Sequence, residues 1–244
     1  MTSKVLILSG DGINCERESA RAFEEAGGQV NQVHINTLLE KPVLLLQHQI
    51  FCLPGGFSFG DELRSGKILA EKMRSNLSNS FENFTKNGGL TLGICNGFQV
   101  LIQLGVFSGI KIKRNTTLAI NDHQQFLDKW LTVEITEDAK NSIWFKDMSG
   151  TLMLPMRHKE GRLVASNFEE KPRIPVKYVE PVNGSFLKAA ALLDSTGQIL
   201  GIMPHPEAAT YSFLNPMAIS EELKEQNALN LRKIFLNAVK GAKL

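Results

Sequence analysis

The sequence predicts an α/β fold: a parallel or mixed β-sheet flanked by helices, with an additional region of short strands. Three observations predict it. First, short apolar runs alternate with helical patterns through the N-terminal hundred or so residues, the rhythm of strands joined by crossover helices. Second, several of these runs end in small-residue turns: Gly10-Asp11-Gly12, Pro54-Gly55-Gly56 and Gly93-Ile94-Cys95-Asn96-Gly97. Such turns fall at strand C-termini, the edge where open α/β sheets bind ligands. Third, from about residue 116 to 186 the pattern changes to short alternating segments between polar turns, after which a buried strand and a helix return.

In chain order, residues 5–9 read as a buried strand. Residues 14–26 read as a helix with Ala20, Phe23 and Ala26 on one face, stopped by Gly27-Gly28. Residues 30–35 and 50–53 are the next strands. A long helix over about 65–86 stops at Gly88-Gly89, and the strand 90–94 leads straight into Cys95 and a further helical pattern. In the middle, residues 131–135, 152–155 and 176–179 read as strands. Residues 199–203 form the last buried strand. Ser220 is placed to cap the final helix, Glu221 and Glu222 suit its dipole, and Leu231, Phe235 and Ala238 mark its apolar face. No interior linker appears, so residues 1–244 are read as a single domain.

Composition narrows the function. The chain has 244 residues, 43% of them hydrophobic, enough for one sizeable core. Lys and Arg number 27 against 25 Asp and Glu, and there is no long basic block and little aromatic interleaving. Nucleic-acid binding is therefore excluded as the main task. The apolar run near the N-terminus is too short for a secretory leader, and none approaches the length that spans a bilayer, so no membrane role is expected. Three cysteines (Cys15, Cys52 and Cys95) without framework or zinc spacing fit a reduced, cytoplasmic setting and no bound metal.

Cys95 carries the chemistry. A strand, a sharp turn and a helix with one cysteine on the turn form the thiol version of a nucleophile elbow. Gly93 and Gly97 leave room for the strained backbone, and the helix N-terminus offers its dipole and free N–H groups to an anionic sulfur. The bland alternative is a buried structural cysteine, the reading preferred for Cys52 and Cys15. A cysteine nucleophile needs a base held by a third group. Two histidines stand two residues before a glutamate: His158-Lys159-Glu160 and His205-Pro206-Glu207. His205 follows the buried strand 199–203, at the same sheet edge as Cys95. The prolines favour extended backbone there, so His205 and Glu207 would project together. His158 lies in a Lys/Arg-rich turn and reads as a surface or interface feature.

These residues carry a family resemblance. Gly93-Ile-Cys-Asn-Gly-Phe-Gln99 with Pro204-His-Pro-Glu207 resembles the class I, triad-type glutamine amidotransferases, whose fold is flavodoxin-like. The wider set resembles the glutaminase subunits of phosphoribosylformylglycinamidine synthase. It comprises Gly12-Ile-Asn-Cys15-Glu-Arg, Pro54-Gly-Gly-Phe-Ser-Phe-Gly-Asp61, Leu63-Arg64, Arg114-Asn115, His158-Lys-Glu-Gly-Arg162 and Asn183-Gly-Ser185. The resemblance implies that Cys95 attacks the carboxamide of L-glutamine, His205 carries a proton to the leaving ammonia, and Glu207 holds His205. It implies an oxyanion hole from the backbone N–H groups of Gly56 and Asn96, and glutamine binding by Gln99 and Phe57. The ammonia would pass to a separate synthetase subunit, with or without a small bridging subunit. ATP and Mg²⁺ would be used there, and no cofactor in this chain. Two alternatives stay open: an amidotransferase serving another acceptor, and a non-catalytic regulatory member of the fold.

Overall fold

The structure, a computed structural model, describes residues 2–107, 116–165 and 172–242. Arg114 and Asn115 lie outside the described residues. Strand β1 (Lys4–Ser9) opens the chain with four consecutive buried aliphatics, the signature of a strand covered on both faces. Helix α1 (Glu16–Glu25), strand β2 (Gln29–His34) and helix α2 (Ile35–Glu40) follow, then strand β3 (Ile50–Leu53) and helix α3 (Lys67–Lys86). Strand β4 (Leu90–Ile94) runs into helix α4 (Asn96–Leu104) with Cys95 between them. Short strands come next: β5 (Thr116–Ala119), β6 (Leu127–Ile135), β7 (Thr151–His158), β8 (Arg162–Ala165) and β9 (Val176–Tyr178). Strands β10 (Ala191–Leu193) and β11 (Ile199–Ile202) and helix α5 (Glu221–Gly241) complete the chain.

The main sheet has the order β10-β11-β4-β3-β1-β2. Five strands are parallel, and β10 forms an antiparallel edge on β11. This is the doubly wound order 2-1-3-4-5, with its fifth parallel strand delayed until after the short-stranded region. Alternation along β1 sorts the core into two layers. Leu6 and Leu8 pack with Phe51, Leu53 and the α3–α4 side chains Leu69, Met73, Leu77 and Leu101. Val5 and Ile7 pack with Cys52, Leu92, α1 and α5. On that side Phe23 meets Phe235 edge to face at 5.1 Å. Leu131 and Val133 of β6 belong to the same apolar cluster, so the antiparallel strands β7-β6-β9 share the core of the main sheet.

Register positions the site. Leu53 of β3 pairs with Gly93 of β4, and Gly93 with Gly201 of β11. These strands therefore end at one level, and the turns after residues 53, 94 and 202 emerge together at the carboxyl edge. The short-stranded region closes over them: the N–H of His205 donates to the carbonyl of Pro155 in β7 (2.9 Å).

Three sequence expectations need correction here. Ile35 does not end a strand; it begins α2, capped by the His34 side chain, which accepts from the N–H of Asn36. Ile35 is buried there among helix contacts, so its β-branched, apolar character was compatible with either reading. Strand β6 starts four residues before the predicted 131. Strand β7 does not stop at Pro155 but continues to His158. A proline lacks the donor a strand needs, which argues for an end, yet in β7 its carbonyl still serves His205.

Candidate active site

Cys95 sits between β4 and α4 with φ 49° and ψ −104°, a conformation costly for any residue with a Cβ. Its N–H donates to the carbonyl of Ile202 on β11 (2.8 Å), and its carbonyl accepts from the N–H of Gln99 (3.0 Å). Those bonds hold the elbow while neighbouring strands supply the packing. The turn depends on Gly97: a Cβ there would lie 1.9 Å from the carbonyl oxygen of Leu53. The Cys95 thiol is buried and points toward the carbonyl of Arg157 at 3.5 Å.

His205 and Glu207 meet as a buried pair, with Nδ1 of the imidazole 2.6 Å from a Glu207 carboxylate oxygen. They converge by a different route from the extended backbone expected. His205 caps a 3₁₀ turn, Pro206–Ala209, with Pro206 in its first position, where a missing N–H costs nothing. The turn swings the carboxylate back onto the ring. Nε2 of His205 has no hydrogen-bond partner among the described residues. Burial works against a charged imidazole, but the Glu207 carboxylate and the thiols of Cys95 and Cys15 outweigh it. The pKa of His205 is raised well above that of a free histidine.

Gly56 lies opposite, in a backbone conformation (φ 147°) that favours glycine. The N–H of Phe57 donates to Gly12 (2.7 Å), and the carbonyl of Gly55 accepts from Asn14 and Cys15. The peptide of Gly56 is thereby pinned between two fixed neighbours. Asn96 occupies the first turn of α4, where backbone N–H groups have no helical partner. Its side chain ties the site together. Its oxygen accepts from the N–H of Ser58 (3.1 Å), and its NH₂ donates to Asp61 (3.2 Å) and to Gln99 (2.9 Å). Asp61 also accepts from the hydroxyl of Ser65 and the N–H of Gly66. Gln99 in turn donates to the carbonyl of Glu160 at 2.7 Å. Gln99 is thus a strut between α4 and the 158–162 loop. Phe57 stands 47% exposed beside the turn, its ring 6.5 Å from that of Phe126. The Asp61 strut was not visible as a site residue in the sequence; only its place in the Pro54–Asp61 block marked it.

His158 departs from the sequence expectation of a surface or interface feature. It is only 2% exposed, because β7 alternates: Arg157 and Lys159 point out and His158 points in. Gly161 packs on its ring, and neither ring nitrogen has a partner among the described residues. Burial, aided by His205 and His123, pushes its pKa down to about 3. The imidazole is neutral in the folded protein, whereas in the unfolded chain it titrates near 6.5. Below pH ~6.5 the unfolded state takes up a proton that the folded state refuses, so stability falls by about 1.4 kcal/mol per pH unit until about pH 3. Between pH 7 and pH 5, wild type is expected to lose about 2 kcal/mol more than His158→Gln in urea unfolding. Equal losses in both proteins would show that His158 is solvated in the fold.

Cys52 is fully buried inside β3, and burial raises its pKa, as suits an inert core thiol. Cys15 is half-buried at the start of α1. No helix among the described residues is long and apolar enough to cross a membrane.

Known proteins match this arrangement along its length. A family model described as a CobB/CobQ-like glutamine amidotransferase domain matches residues 2–240. The phosphoribosylformylglycinamidine synthase subunit PurQ of Dehalococcoides mccartyi is 37% identical over 253 residues, covering 98% of each chain. The subunit of the same name from Methanococcus maripaludis is 35% identical, covering 96% of this chain and 93% of the relative. Among solved structures, that of PurLQS from Thermotoga maritima superposes over the whole of both chains with a TM-score of 0.78 and 27% identity. On these grounds the chain belongs to the glutamine amidotransferases, in the family of the PurQ subunits of phosphoribosylformylglycinamidine synthase.

Proposed function

We propose that this chain performs the glutaminase half of phosphoribosylformylglycinamidine synthesis through Cys95, with His205 as proton carrier and Glu207 as the group that orients it. The observation that carries this assignment is the buried His205–Glu207 pair beside the thiol, whose Nε2 is left without a partner. In the reaction, the Cys95 sulfur attacks the carboxamide carbon of L-glutamine. The oxygen of that carbonyl gains negative charge and takes hydrogen bonds from the N–H groups of Gly56 and Asn96. His205 gives its proton to the departing nitrogen, and ammonia leaves a glutamyl thioester on Cys95. Water then attacks the thioester, His205 takes its proton, and glutamate is released with the thiol restored. A raised pKa for His205 suits the first step, in which the ring must hold a proton beside an anionic sulfur. Phe57 stands at the open side of the site and Gln99 braces its floor, which supports their placement against bound glutamine.

The ammonia is consumed by the partner synthetase subunit, which converts formylglycinamide ribonucleotide to the amidine; ATP and Mg²⁺ are used there. Thioester formation and hydrolysis ask only for the thiol, the imidazole and water, so the chain's own step takes no cofactor. One domain over residues 1–244 is supported by an apolar cluster that runs from Val5 to Ala238 through the short-stranded region. A reducing, cytoplasmic setting is supported by three free cysteines. The test is a rapid quench of the chain, assembled with its synthetase, during turnover of labelled glutamine. Label bound to Cys95 through a base-labile thioester is the expected result; label absent from Cys95 while ammonia is released would overturn the assignment.

A further inference from the structure

The fold brings a second thiol to the His205–Glu207 pair. The Sγ of Cys15, a ring nitrogen of His205 and a carboxylate oxygen of Glu207 all lie within 4.8 Å of one another. Nothing along the chain announces this, since Cys15 is about 190 residues away from the other two. The sequence accordingly led to no expectation of a metal. The cluster forms because the N–H groups of Asn14 and Cys15 both donate to the carbonyl of Gly55, docking the start of α1 against the turn after β3. Gly55 keeps the space between the groups open: a Cβ there would lie 2.7 Å from His205 Cε1 and 3.2 Å from the Cys15 sulfur.

We propose that Cys15, His205 and Glu207 form a binding site for a thiophilic divalent cation, Zn²⁺ above all, which reversibly shuts the glutaminase by taking the imidazole. The donor set is one sulfur, one nitrogen and one carboxylate oxygen, which suits zinc and disfavours Mg²⁺ or Ca²⁺. The imidazole meets Glu207 through Nδ1, and the second carboxylate oxygen of Glu207 is buried and in want of a partner. Tetrahedral zinc with bonds of about 2.0–2.3 Å holds its ligands roughly 3.5 Å apart. Nδ1 of His205 and the Glu207 oxygen, 2.6 Å apart at rest, open toward that spacing as the ion replaces the proton between them, and a rotation of the half-buried Cys15 side chain brings in the sulfur. At rest that thiol donates to the side-chain oxygen of Asn14, at 3.3 Å. Charge balances in the loaded site. The Cys15 thiol and the His205 imidazolium each release a proton, and one thiolate and one carboxylate then neutralise the dication. A water completes the coordination.

The inhibitory consequence rests on the reading of His205 as the proton carrier, whereas the binding itself does not, and the experiment separates the two. Reduced wild type, Cys15→Ser and Cys95→Ala chains are titrated with Zn²⁺ against a chromophoric chelator, and with Co²⁺ by absorption. Glutamine turnover of the wild type and Cys15→Ser complexes with the synthetase is followed in parallel. Wild type is expected to bind one zinc and to show a thiolate-to-cobalt band. Cys15→Ser should lose that band and bind zinc at least tenfold more weakly, about the effect of disturbing even an outer partner of a metal site. Measured against its own zinc-free rate, it should resist inhibition by zinc, and a chelator should restore activity to zinc-treated wild type. Cys95→Ala should bind zinc much as wild type does. Undiminished zinc affinity in Cys15→Ser, or loss of binding in Cys95→Ala alone, would place the ion on the nucleophile and overturn the proposal. Zinc bound through Cys15 without inhibition would leave the site standing and refute the role given to His205.

Discussion

Cys95→Ala is expected to lower glutamine-dependent turnover of the assembled complex by at least ~10⁴-fold while leaving its ammonia-dependent synthesis near the wild-type rate. The asymmetry follows from what alanine keeps and what it removes. It keeps the Cβ, so the strained backbone at φ 49° is no more and no less costly than before. It keeps the N–H that donates to Ile202 and the carbonyl that accepts from Gln99, so the elbow and the start of α4 stay in place. Only the sulfur goes, together with its contact to the carbonyl of Arg157. The stability change should stay within about 1 kcal/mol, the range for a small truncation with its backbone bonds intact. Without sulfur no thioester forms, and the Gly56 and Asn96 donors have no tetrahedral intermediate to hold. Free ammonia enters after that step and does not need it. Both activities measured on one preparation check the prediction. Residual glutamine turnover within tenfold of wild type would refute the nucleophile assignment, and loss of both activities would make the residue structural.

The elbow was legible because its rules are local. A buried strand, a cysteine and two glycines at fixed offsets leave few conformations, and the Cys95 backbone shows why glycine stands at residue 97. The pairing of His205 with Glu207 was legible in part: a position just after a buried strand fixes the edge, but a 3₁₀ turn and not extended backbone sets the direction. His158 was misread because neighbouring charges were given more weight than strand alternation. Arg157 and Lys159 do face solvent, and for that reason the residue between them faces inward. The approach of Cys15 to His205 was not legible at all. It depends on two bonds from the start of α1 to Gly55, some forty residues on, and no local pattern encodes such a docking. The Asn96–Asp61–Gln99 network is similar in kind. Each residue type is compatible with a surface loop, and only the tertiary fold turns them inward.

Gly97→Ala is expected to destabilise the fold by at least ~4 kcal/mol or to yield no soluble protein, against the direction that helix propensity alone would give. Gly97 lies inside α4, and alanine in an exposed helix interior is about 1 kcal/mol better than glycine. The added Cβ, however, would stand 1.9 Å from the carbonyl oxygen of Leu53 and 2.7 Å from its carbon. That oxygen belongs to backbone, so no side-chain rotation relieves the contact. Leu53 is paired with Gly93, and β3 is paired with β1 as well, so moving the oxygen disturbs the centre of the sheet. Moving α4 instead pulls Asn96 away from Ser58 and Asp61, which breaks the proposed oxyanion hole. Gly150→Ala supplies the contrast: its φ is 81°, but nothing lies within 4 Å of the new Cβ. It should cost only the ~1–2 kcal/mol of a left-handed backbone. Urea unfolding of the two variants beside wild type separates steric exclusion from conformational preference. A Gly97→Ala chain as stable as wild type would mean that α4 does not pack on β3 at this distance. The close approach that puts Cys95 at the head of the helix would then have to be abandoned.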